Sequence, residues 1–159
     1  MLVFSHYSAS LGASDTEVET TISQSLPLIL GLLEKNAATR LHLSLSGPVL
    51  EKLDREIAER IVALEKRRQI EIIATLAFEP QLTAITAEEI SAQLQYSLTI
   101  WKNFGIENIS AVRLCPGWND QILPALGTQH IRVALLPICD FSEPGVASCL
   151  KDEASGIFI

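Results

Sequence analysis

The sequence predicts an α/β protein with a mostly parallel sheet and flanking helices. Short apolar runs alternate with longer amphipathic segments, and strands separated by helices are usually joined by right-handed crossovers into a parallel sheet. The strand-like runs are almost continuously apolar, as expected where helices cover the sheet. The length of 159 residues suits one domain spanning the whole chain, but a complete eight-stranded barrel needs about 250 residues. The sequence therefore leaves two architectures open, an open doubly wound sheet and a partial or shortened (β/α) barrel.

The elements follow from periodicity and from end signals. Strands are predicted at residues 2–5, 39–46, 70–78, 109–115, 130–137 and 156–159. Helices are predicted at residues 16–35, 46–69, 86–105 and 119–129. Asp15 is expected to cap the first helix, and Pro48 suits the first turn of the second. Thr86 and Glu89 have the spacing of a capping box, and Gly105 marks the end of that helix.

The charge balance excludes several classes of partner. The formal net charge is −7 and the basic residues are scattered, so nucleic acids and anionic membranes are disfavoured. The longest apolar stretch is interrupted by Pro27 and Gly31 and is too short to span a bilayer. The first residues lack the basic region of a signal peptide. We therefore expect neither a nucleic-acid nor a membrane partner.

The cysteines indicate a reducing environment. Cys115, Cys139 and Cys149 are odd in number, and their spacings match no zinc site. A disulfide scaffold is unexpected at this size and cysteine density, so a cytoplasmic location is the simplest prediction. Cys115 precedes a predicted helix, but no base is visible near it, and a packing role is favoured over a nucleophilic one. No metal and no cofactor are expected.

Four residues are candidates for a functional site. His6 closes the first strand, where the carboxyl end of a parallel strand can face a ligand. Glu79 ends a buried strand, where a carboxylate must be exposed or paired. Trp118 is able to stack on a ligand ring or to pack. Asp120 fits a helix start better than catalysis. His6 and Glu79 are equally compatible with structural roles.

Three stretches resemble the N-terminal part of the glycoside hydrolase family 57 catalytic domain, which belongs to the glycoside hydrolase/polysaccharide deacetylase-like barrels. Residues 27–53 contain a helix ending in Leu-Leu-Glu, a strand with Ser-x-Ser-Gly and a Leu-rich helix start. Residues 67–86 contain a strand that ends in Phe-Glu-Pro. Residues 114–136 occupy the place of the family's strand, turn and helix around its nucleophile. The resemblance covers residues 1–137.

The resemblance implies a distorted (β/α) barrel that acts on α-glucan by a retaining mechanism, with a Glu nucleophile and an Asp acid/base. It implies substrate binding by His6, which stands alone where the family has a His-rich strand end, and by Glu79, which matches the Glu of the second motif. The nucleophile position falls at Pro116 or Gly117, and the nearest carboxylate is Asp120. The acid/base Asp of the family lies later than Ile159.

The sequence thus predicts a family-57-like domain related to α-glucan processing, the N-terminal part of a larger barrel, that is inactive by itself. The substrate-binding candidates are His6, Glu79 and Trp118, and Glu79 and Asp120 are the weaker candidates for catalysis. The alternative is a non-catalytic α/β interaction or regulatory domain that self-associates, since an incomplete barrel leaves a strand edge to be paired. A homodimer is then expected, and an α-glucan or oligosaccharide is the expected ligand of the first hypothesis.

Overall fold

The computed structural model of the chain describes residues 2–7, 14–117, 122–137 and 151–159. The strands within these ranges are β1 (Leu2–Tyr7), β2 (Arg40–Leu45), β3 (Ile70–Ile72), β4 (Ala74–Thr75), β5 (Ala111–Arg113) and β6 (Val133–Leu135). The helices are α1 (Asp15–Thr20), α2 (Leu26–Lys35), α3 (Gly47–Glu51), α4 (Arg55–Lys66), α5 (Ala87–Asn103) and α6 (Ile122–Gly127). These six strands pair with one another in parallel, in the orders β1-β2-β3 and β4-β5-β6. The predicted α/β class, with flanking helices and a partial barrel, is confirmed.

The two sheets meet at Ile73, which separates β3 from β4. One strand was expected over residues 70–78, and the ladder is instead broken at this residue. The Ile73 amide donates to the Leu43 carbonyl at 2.9 Å, and the Thr75 hydroxyl donates to the Leu45 carbonyl at 3.3 Å. Both bonds lead back to β2, so the two sheets form one curved surface.

The first predicted helix is interrupted. A π-helical turn over Thr21–Ser25 separates α1 from α2. Asp15 does not cap α1 as expected: Ser14 and Glu17 exchange cap hydrogen bonds there, and the Asp15 carboxylate instead pairs with Lys52 of the turn after α3. Ser14 takes the capping position because its hydroxyl accepts from the Glu17 amide.

The prediction of one continuous helix over residues 46–69 is wrong. Residues 46–69 form α3 and α4, and the chain turns at Leu53 and Asp54. The Asp54 carboxylate accepts from the Ile57 amide at 2.8 Å, which caps α4 and stops α3 from continuing. Gly47 begins α3 because its amide donates to the Ala77 carbonyl at 2.8 Å, and a Cβ at Gly47 would lie 2.5 Å from that oxygen.

The later elements agree with the expected signals. Thr86 and Glu89 form the capping box of α5, and Gly105 ends that helix with a φ of +94°. The helix predicted over 119–129 is α6, although residues 118–121 lie outside the described ranges. The last predicted strand is reduced to isolated bridges of Phe158 with Val133 and Lys151.

The two faces of the sheet differ in character. Leu41, Leu43 and Leu45 of β2 are buried in the main apolar core with residues of α2 and α4. His42 and Ser44 alternate with these leucines and therefore lie on the opposite face, which we call the inner face. His6 is the register partner of Ser44, and Glu71 is that of His42, so the inner face is polar. Among the described residues, no helix is long and apolar enough to cross a membrane.

Candidate functional site

A polar cluster joins residues of three segments at the carboxyl edge of the sheet. His6 Nε2 lies 2.9 Å from Glu79 Oε1, and Arg113 Nη1 lies 2.6 Å from the same oxygen. His6 is near the end of β1, Glu79 follows β4, and Arg113 is the last residue of β5. Parallel strands bring their carboxyl ends to one edge of the sheet, and this edge is where ligands of α/β proteins bind. We call these three residues the carboxyl-edge cluster.

The cluster is half-enclosed. The side chains of His6 and Glu79 are each 16% exposed, and that of Arg113 is 29% exposed. A carboxylate with so little access to water needs polar partners: Arg113 donates a charge-assisted hydrogen bond to it, and His6 Nε2 is close to the same oxygen. The Glu79 carboxylate is thereby held in a fixed orientation.

The backbone at Glu79 is unusual. Its φ is +47°, a left-handed conformation that side chains other than glycine rarely adopt. A turn closed by the Glu79 amide and the Leu76 carbonyl at 3.3 Å maintains it, and Pro80 follows. Such a conformation costs about 1–3 kcal/mol and is concentrated at functional sites. In this backbone conformation the Glu79 carboxylate is directed at His6 and Arg113.

One polar atom of the cluster has no described partner. His6 Nδ1 is buried, and so is Ser44 Oγ on the neighbouring strand; neither has a hydrogen-bond partner among the described residues. Nε2 of His6 faces Glu79, so Nδ1 is the ring nitrogen that remains available. These two atoms provide unused hydrogen-bonding capacity beneath the cluster.

Cys115 lies next to the cluster and is half-buried. Burial raises the pKa of its thiol, and the nearby Glu79 carboxylate raises it further, while Arg113 acts in the opposite direction. A raised pKa keeps the thiol protonated at neutral pH, and the thiolate is the nucleophilic form. The packing role expected for Cys115 fits this environment better than nucleophilic chemistry.

The turn after β5 is packed against the segment that follows Glu79. The Leu82 amide donates to the Pro116 carbonyl at 3.2 Å, and Gly117 has a φ of +104°. A Cβ at Gly117 would lie 3.2 Å from atoms of Thr83. Pro116 and Gly117, the two positions that the resemblance aligned with a nucleophile, provide backbone and no carboxylate. Trp118 and Asp120 lie outside the described residues.

The structure brings together two of the sequence candidates, His6 and Glu79, and adds Arg113. The sequence contained one signal for Arg113: it is a cation within the apolar strand Ala-Val-Arg-Leu, where a charge requires a partner. The pairing with Glu79, 34 positions earlier, depends on strand order and could not be read from spacing.

A second His–Glu pair lies on the same inner face, two residues along β2 from Ser44. His42 Nε2 is 3.1 Å from Glu71 Oε2, but these side chains are 30% and 65% exposed. In the part of the chain that the structure describes, this pair has no third ion-pair partner, and it is more open to solvent than the carboxyl-edge cluster. Within the described ranges, no three His, Cys, Asp or Glu side chains are grouped as a metal site would require.

Comparison with known proteins identifies the fold. No protein-family model matches the chain, and no curated protein matches it. Among solved structures, a 4-α-glucanotransferase from Thermococcus litoralis superposes with a TM-score of 0.72 at 23% identity, over 84% of this chain and 21% of that one. An α-amylase from Thermotoga maritima gives 0.66 at 15% identity, over 99% of this chain and 44% of that one. A carbohydrate esterase family 4 pseudoenzyme from Bacillus anthracis gives 0.61 at 16% identity, over 85% and 42%.

These likenesses define the class of the protein: an α/β chain with a glycoside hydrolase/deacetylase-like fold. The chain spans about a fifth of the length of the glucanotransferase and less than half of the length of the other two proteins. At these identities the similarity extends to the fold alone.

Proposed function

We propose that the carboxyl-edge cluster binds a saccharide, and that its preferred ligand is an α-glucan oligosaccharide. The observation that carries this proposal is the convergence of His6, Glu79 and Arg113 at the edge of a parallel sheet. A fixed carboxylate, an imidazole and a guanidinium together offer both acceptors and donors, which the hydroxyl groups of a sugar require. The fold similarity to a 4-α-glucanotransferase and an α-amylase supports the α-glucan class.

We further propose that this site binds without hydrolysing. A retaining glycosidase needs two carboxyl groups about 5–5.5 Å apart, one as nucleophile and one as acid/base. One oxygen of Glu79 already accepts a hydrogen bond from Arg113 and lies 2.9 Å from His6 Nε2, which lowers its capacity to attack. Pro116 and Gly117 provide no second carboxylate in the adjacent turn. Binding and cleavage are therefore separable properties of this site.

The experiment is titration calorimetry with maltooligosaccharides, with chitooligosaccharides as the comparison ligands. The fold is similar to that of a 4-α-glucanotransferase and of a peptidoglycan N-acetylglucosamine deacetylase. The comparison therefore tests whether the site prefers an α-glucan to an N-acetylglucosamine oligomer. We expect saturable binding of the maltooligosaccharide. Glu79→Gln and His6→Ala are expected to weaken it by about tenfold or more, because each removes a hydrogen bond that involves a charged group.

The matched controls are His42→Ala and Glu71→Gln, which alter the other His–Glu pair of the same inner face. Their binding constants are expected to equal that of the unmodified protein. Equal losses in both pairs would contradict the proposal, and so would the absence of binding. Incubation with the oligosaccharide followed by chromatography tests the second statement, and released shorter sugars would refute it.

A second candidate function is self-association as an interaction domain. Leu28 and Leu32 lie one turn apart on α2 and are 72% and 67% exposed. Side chains at this spacing share one face of a helix, and a two-fold pairing of identical faces is the commonest way to form a homodimer. Sedimentation of the protein and of Leu28→Glu tests it: a dimer that this substitution dissociates is expected, and a monomer at all concentrations excludes it.

A further inference from the structure

A large cleft lies at the pole of the sheet opposite the carboxyl-edge cluster. It has a volume of about 800 Å³ and is bounded by the end of α5 and by the loops that lead into β5 and β6. Ile106, Ile109 and Ile131 contribute buried side chains to its walls. Its volume falls within the range of small-molecule sites.

Two local backbone features shape this cleft. Gly105 ends α5 in a left-handed conformation, and the Ile106 amide bonds back to the Trp101 carbonyl at 3.0 Å. His130 has a φ of +60° in the turn that leads from α6 towards β6. The amides of Arg132 and Val133 both donate to the Ser110 carbonyl, at 2.8 and 3.1 Å, which fixes the two loops against each other.

The cleft is locally basic in an acidic protein. Lys102 and Arg132 line it, and Glu107 is the one carboxylate among its described lining residues. The Asp152 carboxylate is close by, but it accepts hydrogen bonds from Ser155 at the edge of the cleft. Neither Lys102 nor Arg132 forms an ion pair with a described carboxylate. The formal charge of the whole chain is −7. Two cations without an ion-pair partner among the described residues therefore face one cleft, and they create a local attraction for anions.

We propose that this cleft binds the phosphate group of a small organic phosphate, with Lys102 and Arg132 as its charged ligands. A phosphate monoester carries a charge of about −1.5 to −2 at neutral pH, which two cations balance. The arginine fork matches its oxygens, and lysine contributes a point charge. Asn108 and Ser110 add an amide and a hydroxyl, and the isoleucine walls contact the organic part. The proposal is independent of saccharide binding at the carboxyl-edge cluster.

The test uses inorganic phosphate and glycerol 3-phosphate, neither of which contains a sugar ring. Binding is measured by calorimetry with the unmodified protein, with Lys102→Gln/Arg132→Gln, and with Lys35→Gln/Lys66→Gln as the control. The control removes the same charge from two helix ends that lie outside the lining of the cleft. We expect the first pair of substitutions to weaken binding by about tenfold or more, and the control to change it by less than about threefold.

Amide chemical-shift mapping of the unmodified protein provides a second readout that does not depend on a variant. The phosphate probes are expected to shift residues 108–110 and 129–132. Absence of binding, shifts confined to other parts of the chain, equal weakening by the control substitutions, or equal binding of citrate would each overturn the proposal. Citrate is the relevant comparison because a site that recognises only negative charge would accept its carboxylates equally well.

Discussion

The ion pair of Glu79 and Arg113 provides the sharpest test of the carboxyl-edge cluster. The pair is intermediate between an exposed and a fully buried ion pair, because its side chains are 16% and 29% exposed. Exposed ion pairs contribute about 0.2–1 kcal/mol, whereas breaking a fully buried pair costs about 3–5 kcal/mol. Arg113→Gln leaves the Glu79 carboxylate with the His6 imidazole as its remaining described side-chain partner. We expect it to lower the free energy of unfolding by about 2 kcal/mol.

The opposite substitution is expected to be milder. Glu79→Gln leaves Arg113 without its carboxylate, but this longer and more exposed side chain is able to turn towards water. A double-mutant cycle of Glu79→Gln and Arg113→Gln is expected to give a coupling energy of about 1–2 kcal/mol. The cost of Arg113→Gln corresponds to a fall in melting temperature of about 4–8 °C for a chain of this size.

Urea unfolding followed by circular dichroism measures all four corners of this cycle, with a constant m-value as the condition for comparing them. The control is the same cycle on Arg55 and Glu59, an i,i+4 pair of similar distance, 2.8 Å, on the surface of α4. The side chains of that pair are 92% and 67% exposed, so its coupling is expected to be much smaller. A coupling for Glu79 and Arg113 no larger than that of the control would refute the interpretation of the cluster as a fixed, desolvated unit.

Three further predictions concern packing, reactivity and pH. Gly47→Ala is expected to destabilise the protein by about 1–3 kcal/mol, because its Cβ would meet the Ala77 carbonyl oxygen at 2.5 Å. Gly127→Ala is the control, since a Cβ there would have no atom within 4 Å, and it is expected to be neutral or stabilising. Urea unfolding of the two variants compares them. In a Cys139→Ser/Cys149→Ser background, Cys115 is expected to be alkylated more slowly at pH 8 than a free thiol, because its pKa is raised. Glu79→Gln is expected to accelerate this alkylation and Arg113→Gln to slow it. The reverse order of rates would contradict the assigned electrostatic effects of these two residues. Arg60 lowers the pKa of Glu34 below its ordinary value of 4.5. Their ion pair therefore stabilises the fold above that pH and loses its effect as the pH falls through the lowered pKa. Arg60→Gln is expected to cost at most about 1 kcal/mol of unfolding free energy at pH 7 and less at pH 3, measured by urea unfolding at both pH values.

The elements that the sequence predicted correctly are those with local signals. The capping box of Thr86 and Glu89 and the stop at Gly105 define α5 within a few residues, because both act through nearby backbone groups. The break between α3 and α4 also has a local signal, Asp54 as an N-cap, but the surrounding apolar spacing favoured one continuous helix. The periodic pattern outweighed the cap signal because Leu50, Leu53 and Ile57 share the spacing of a single helical face.

The site was predictable only in part, for a different physical reason. His6 and Glu79 were identifiable because each carries a polar group to the end of an apolar strand. Their contact depends on how the strands are ordered, and Arg113 enters the cluster because β5 pairs with β4. The left-handed conformation of Glu79 had no sequence signal, since glutamate ordinarily avoids it. The pairing of strands thus determined the part of the site that sequence periodicity could not predict.

Arg113 bears on the role that Glu79 is able to take at this edge of the sheet. A carboxylate acts as a nucleophile or as an acid or base only where it reaches the reacting atom in a suitable geometry. Here a guanidinium at 2.6 Å and an imidazole at 2.9 Å share one oxygen of Glu79, and both contacts hold the carboxylate in one orientation. A carboxylate held in this way is suited to accepting hydrogen bonds from a ligand. Replacing Arg113 by a neutral residue would remove one of these restraints, so Arg113→Gln is also expected to weaken the saccharide binding that we propose for this cluster.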